Sequence, residues 1–202
     1  MAELLTPVEG DIGPRMLRIS GIPRGRFLPH QVWGVWFILK RILADRPPVA
    51  LIADDIGLGK THCALATLLY LKHIVDEAAA GRPLACLGGK SVEELEEVPR
   101  IFGDDIEVYR RPSIIIVLAN LVPAWERAVQ SLIPKTWLTL INLFSRRRLT
   151  HNDLNYSSDN SEDGKAIHLI SDSAYRARYN NSEGLEGCNW GVGIFDESHT
   201  AK

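Results

Sequence analysis

The most constraining feature of the chain is Ala53-Asp54-Asp55-Ile56-Gly57-Leu58-Gly59-Lys60-Thr61, which follows the apolar run Pro48-Val49-Ala50-Leu51-Ile52. A pattern at helical spacing comes next. An apolar strand that stops abruptly, glycines that let backbone N–H groups converge, and a helix whose positive N-terminus faces the loop together make a phosphate cradle. In such a cradle Lys60 reaches the β- and γ-phosphates as a point charge, and the Thr61 hydroxyl completes the coordination of Mg²⁺. The loop departs from G-x-x-x-x-G-K-[ST] at one place, where Asp54 stands for the first glycine. Taken alone, it also fits an ordinary strand-to-helix turn with a solvated lysine.

Upstream, residues 1–26 are rich in Gly and Pro and read as an irregular lead-in. Phe27-Leu28-Pro29-His30-Gln31 then opens a helix with Pro29 in its first turn. Val32, Val35, Trp36, Leu39, Ile42 and Leu43 keep helical spacing until Pro47-Pro48. Trp33 and Phe37 occupy another face of the same helix, which predicts packing on more than one side. Gln31 is a candidate base reader, because a side-chain amide matches the N6 and N7 edge of adenine. The bland alternative is a surface glutamine.

Downstream of the loop, Leu65, Leu68, Leu69, Ile74 and Val75 predict the buried stripe of a helix. Residues 76–112 form a composite connector. Ser91 and Glu94 stand at capping-box spacing, and the acidic run to Glu97 reads as a solvated face. The run Pro112-Ser113-Ile114-Ile115-Ile116-Val117-Leu118 predicts a strand buried on both faces of a parallel sheet. A helix over 121–129 tolerates Pro123 only in its first turn. Further strands are expected at 137–143 and 166–170, separated by an exposed insertion near 144–165 that carries Arg146-Arg147-Arg148. A capped helix follows from Ser171. Finally, Trp190 to Phe195 predicts a buried strand delivering Asp196-Glu197-Ser198-His199 at its C-terminal end. There Asp196 could hold Mg²⁺ and Glu197 could activate an attacking water. Two exposed acids after a strand are the alternative.

The chain has 202 residues and a net charge of −2, enough for one sizeable core and no global basic field. Any nucleic-acid contact must therefore be local. Cys63, Cys86 and Cys188 form no C-x-x-C pair, which predicts thiols in a reducing compartment. No apolar run approaches membrane-spanning length, so the reading is of a soluble intracellular protein without a membrane partner.

In combination these stretches resemble the first RecA-like lobe of Swi/Snf-type chromatin-remodelling ATPases, within helicase superfamily two. Phe27 to Val35 is similar to that family's adenine-reading glutamine motif. Leu51 to Thr61 resembles its first motif, usually Ala-Asp-Glu-Met-Gly-Leu-Gly-Lys-Thr, so Asp54 is what the family carries there. Ser113 to Trp125 resembles the next motif, which in the family lies near the DNA backbone. Ala166 to Tyr175 sits where the family has a strand ending in Thr-Thr-Tyr, here Ser171-Asp172-Ser173. Trp190 to Lys202 resembles the Asp-Glu-x-His box, in which His199 would couple the nucleotide site to the rest of the motor.

The resemblance implies an α/β fold of the P-loop NTPase type, a RecA-like, mostly parallel sheet with helices on both faces, occupying 27–202. ATP and Mg²⁺ would be its ligands. Gln31, Asp54, Asp55, Ile56, Gly57, Leu58, Gly59, Lys60 and Thr61 would bind the nucleotide. Thr61 and Asp196 would hold the metal, and Lys60, Asp196 and Glu197 would serve hydrolysis. Implied partners are duplex DNA or nucleosomes in the nucleus, and a second RecA-like lobe with an arginine finger that does not follow His199 in this chain. The expectation is of a lobe incomplete at its C-terminus. A hydrolysis-deficient nucleotide-binding or interaction module is the alternative, and an RNA helicase lobe a third reading, disfavoured because His199 replaces the last acid of the Asp-Glu-Ala-Asp box.

Overall fold

The computed structural model describes residues 5–7, 17–19, 22, 24–44, 49–53, 57–84, 91, 106–134, 137–143, 163–180 and 190–196. The chain divides into two compact units, residues 1–106 with 131–133, and residues 107–130 with 134–202.

In the first unit, β1 (Leu5–Pro7) pairs antiparallel with β2 (Leu17–Ile19), Leu5 opposite Ile19. Leu17 also bridges Phe27, which is fully buried. The lead-in is therefore not wholly irregular, because its short apolar pieces find ladder partners. Helix α1 (Pro29–Ala44) begins at Pro29, whose fixed φ suits the first position and whose missing N–H has no intrahelical role there. Val32, Val35, Ile38 and Leu39 form its buried stripe. The expectation that Trp33 and Phe37 bury a second face is overturned: they are 55% and 46% exposed, and Trp36 is 36% exposed. Lys40 and Arg41 extend over the Trp36 and Phe37 rings at 5.3 and 5.4 Å, and Trp33 meets Trp36 edge to face. Cation–π contact and ring-on-ring packing thus shelter apolar surface that no core covers.

Helix α2 (Lys60–Ala79) is buried on most of its circumference, from Cys63 and Leu65 through Tyr70, Leu71, Ile74 and Val75. The apolar positions expected from spacing are all among them. Its C-terminus closes in a Schellman motif. Gly81 takes φ 64°, the Arg82 N–H donates to the Glu77 carbonyl and the Gly81 N–H to that of Ala78, each at 3.0 Å. Arg82 also forks onto the Glu77 carboxylate at 2.6 and 2.7 Å.

The expected strand before the phosphate loop is not formed. Residues 49–53 have no strand pairing, and Val49 and Leu51 are 66% and 70% exposed. An apolar run becomes a strand only when a ladder partner satisfies its N–H and C=O groups, and here none does so among the described residues.

The second unit is built on a parallel sheet of order β4-β5-β3-β6. Its strands are β3 (Ser113–Val117), β4 (Thr139–Asn142), β5 (Ala166–Ser171) and β6 (Val192–Phe195). β3 lies between β5 and β6, Ser113 opposite both Ile167 and Val192. Every residue of the two central strands is buried, as their unbroken apolar runs require. β6 was expected to be buried but alternates, with Gly193 and Phe195 exposed, because only one neighbour pairs with it among the described strands. A 3-10 turn (Ala119–Leu121) and α4 (Val122–Leu132) follow β3, with Pro123 in the first helical turn. A four-residue α3 (Ile106–Tyr109) precedes β3, and α5 (Asp172–Asn180) follows β5. Ser171 Oγ accepts from the Ala174 N–H at 3.2 Å, the cap expected there. Ile114, Ile116, Leu143 and Ile170 form a core cluster on which Tyr175 and Trp190 pack.

The chain is therefore α/β with a parallel sheet, as expected. The acidic run Glu93 to Glu97 and the arginine triplet lie outside the described residues, as do Asp54, Asp55, Ile56, Glu197, Ser198 and His199. No described helix is long and apolar enough to cross a membrane.

Candidate functional site

A first group of candidate residues lies in the first unit, where the N-termini of α1 and α2 hold the glycine loop. Gly57 and Gly59 take φ 90° and 83°, the left-handed region that glycine enters without a Cβ penalty. Gly59 is also the N-cap of α2, and its carbonyl accepts from the Cys63 N–H at 3.0 Å. Lys60 and Thr61 are thus the first two residues of a long helix. Gly59 has no side chain to cap that end, where the positive end of the helix dipole lies.

Gln31 is not a surface glutamine. Its Oε1 accepts from the Leu28 N–H at 2.9 Å, and its Nε2 donates to the Leu58 carbonyl at 3.3 Å. A backbone N–H can only donate and a carbonyl can only accept, so these two contacts fix which end of the amide is oxygen. Each end keeps one further valence, a lone pair on Oε1 and a hydrogen on Nε2. That is the acceptor and donor pair that the N6 and N7 edge of adenine requires. The close approach depends on Gly59, since a Cβ there would sit well inside van der Waals contact of Gln31 Nε2.

Two contacts here were not read from sequence. His30 Nε2 lies 3.2 Å from the same Leu58 carbonyl, and Cys63 Sγ donates to the Gln31 carbonyl at 3.6 Å. Both involve main-chain oxygens, which side-chain patterns do not reveal. The adjacency of His30 to Gln31 was the only available hint.

A second group lies in the second unit, at the C-terminal ends of its parallel strands. Asp196 follows β6 and its N–H donates to the Ile116 carbonyl at 3.0 Å, so the chain stays registered to β3 one residue beyond the strand. The Trp125 indole Nε1 donates to Asp196 Oδ2 at 2.7 Å. Trp125 is 3% exposed, so this partner is rigid, and a hydrogen bond to an ionised acceptor in such a place is among the stronger kinds. Sequence reading placed Trp125 on the right helix but not against Asp196.

In the first unit, an amide with a spare donor and acceptor and two positive-φ glycines at a helix N-terminus have the chemistry to meet a purine and its phosphates. In the second unit, a carboxylate at the end of a parallel strand has the chemistry of a divalent-metal ligand.

A family model, the SNF2-related domain, matches residues 30–202. No curated protein matches the chain.

Proposed function

The chain belongs to the SNF2-related domain family, the ATPase lobe of helicase superfamily two, and from that premise we propose that it binds Mg-ATP in a Swi/Snf-type motor coupled to duplex DNA. The observation that carries the nucleotide reading is the Gln31 amide, locked between Leu28 and Leu58 with one donor and one acceptor to spare. Gln31 selects adenine. The N–H groups around Gly57 and Gly59, with Lys60, would hold the phosphates, and Thr61 and Asp196 would hold the metal. When bound, Mg²⁺ would supply charge neutralisation to the phosphate chain. Asp196 keeps its orientation through Trp125, and Glu197 takes a proton from the attacking water. An arginine from a second RecA-like lobe, in the same polypeptide or another, completes charge stabilisation and contributes roughly 10³- to 10⁵-fold in rate. Duplex DNA or nucleosomes as the track, and the nucleus as the location, follow from the family resemblance.

The test is ATP binding and turnover by the chain, with and without duplex DNA, beside Lys60→Ala and Glu197→Gln. DNA-stimulated turnover lost in both variants is the expected result for a working motor. Binding abolished by Lys60→Ala without turnover would reduce the assignment to a nucleotide-binding lobe. Absence of ATP binding would remove it.

A further inference from the structure

The glycine loop is held by a carbonyl, and two adjacent side chains hold that carbonyl. Leu58 O accepts from Gln31 Nε2 at 3.3 Å and lies 3.2 Å from His30 Nε2. A carbonyl cannot donate, so the His30 contact requires the proton on Nε2. The two donors use both lone pairs of one oxygen, and they come from consecutive residues in the first turn of α1, separated from Leu58 by 28 and 27 positions.

The consequence follows from peptide planarity. In a trans peptide the carbonyl and the next N–H point in opposite directions across a rigid plane. Pinning the Leu58 carbonyl toward α1 therefore turns the Gly59 N–H to the side away from α1. Gly59 has φ 83° and opens α2, so its N–H belongs to the group of donors at that helix N-terminus. A left-handed glycine with no Cβ has few means of its own to hold one peptide orientation. Gln31 Nε2 commits one hydrogen to this carbonyl and keeps the other for a base, and His30 adds a second donor from a ring that takes no part in reading the base.

We propose that His30 is a positioning residue for phosphate binding, in which its Nε2–H fixes the Leu58–Gly59 peptide so that the Gly59 N–H is presented to the phosphate chain of the nucleotide. This rests on the nucleotide reading and adds to it a division of labour. Gln31 reads the base and His30 sets the phosphate donor.

The experiment compares the full chain with His30→Phe, which keeps a ring but no donor, and His30→Gln, which keeps a donor. Affinities for ATP, GTP and inorganic tripolyphosphate are measured by calorimetry, with thermal midpoints recorded for each variant. His30→Phe should weaken ATP and tripolyphosphate alike, by roughly threefold to tenfold, the loss of one exposed to half-exposed hydrogen bond. The ATP-to-GTP ratio should stay as in the unaltered chain, and His30→Gln should recover most of the loss. Unchanged tripolyphosphate affinity in His30→Phe, or a loss confined to ATP, would overturn the proposal. Equal losses in His30→Phe and His30→Gln, tracking a lowered thermal midpoint, would show a merely structural residue and overturn it too. Failure of the underlying nucleotide reading looks different, because the unaltered chain would then bind neither ATP nor tripolyphosphate and Lys60→Ala would change nothing. That result removes the proposal as well.

Discussion

The Trp125 indole N–H and the Asp196 carboxylate meet at 2.7 Å, joining the first turn of α4 to the residue that follows β6. Trp125→Phe keeps most of the buried ring and deletes the donor. We expect a stability loss of about 1–2 kcal/mol, because a hydrogen bond to a charged acceptor is lost. We also expect the Mg²⁺ concentration needed for ATP binding to rise several-fold, since Asp196 loses its fixed rotamer. Urea unfolding and a Mg²⁺ titration at fixed ATP check the two parts. An unaltered Mg²⁺ requirement would separate Trp125 from the metal site.

Gln31→Ala should collapse the preference for ATP over GTP. Guanine offers an acceptor where adenine offers the N6 donor, and a bidentate amide contact discriminates by about 1–3 kcal/mol. Competition between the two nucleotides on the variant and the unaltered chain measures this directly. Retained preference would place adenine recognition elsewhere.

Gly59→Ala introduces two penalties at once, a Cβ at φ 83° and a collision with Gln31 Nε2. The expected cost is about 1–3 kcal/mol of stability, together with most of the ATP affinity. Adding Gln31→Ala removes the collision but not the backbone strain. The double variant should therefore be more stable than the sum of the single losses implies, a coupling readable by denaturant unfolding. Strict additivity would mean that the two residues do not touch in solution.

Lys72 on α2 gives a pH prediction. Burial pushes its ammonium down from 10.5 to about 8, against the opposing pull of Asp76. Between about pH 8 and pH 10.5 the unfolded chain holds this proton and the folded chain releases it. Stability from this group must therefore rise with pH across that window and be flat below it. Lys72→Met should raise stability at pH 7 by about 1–3 kcal/mol, because a charge need no longer be desolvated, and should remove the rise. Thermal melts from pH 7 to 10 on both proteins decide it. A rise that persists in the variant belongs to another group.

What could be read from the residues alone divides along physical lines. β3 and β5 were legible because a strand buried on both faces must be apolar at every position, and Ser113–Val117 and Ala166–Ser171 come close to that. The limits of α1 were legible from Pro29 and the Pro47-Pro48 stop. Val49 to Ile52 has similar local chemistry and is not a strand, because a ladder needs a partner and sequence shows only the preference. Trp33 and Phe37 misled for a related reason: large rings suggest burial, yet Arg41 shelters Phe37 and Trp36 packs against Trp33 without it. Gln31 and the loop stood out as candidates because their side chains carry chemistry that a sequence displays. The Leu58 carbonyl was invisible, since every residue has one. Trp125 and Asp196 stand 71 positions apart, and no local pattern announces that they meet.

Cys63 turns this arrangement into a clock. Its thiol is 2% exposed and donates to the carbonyl of Gln31, beneath the turn of α1 that carries the amide proposed to read the base. A reagent in solution can alkylate it only when the two helices part, so the labelling rate counts those openings. With Cys86 and Cys188 replaced by serine, slower labelling in ATP than in buffer would time how long a bound nucleotide keeps α1 seated on α2. The chain thus carries its own stopwatch for residence at the site, one that needs no turnover to run.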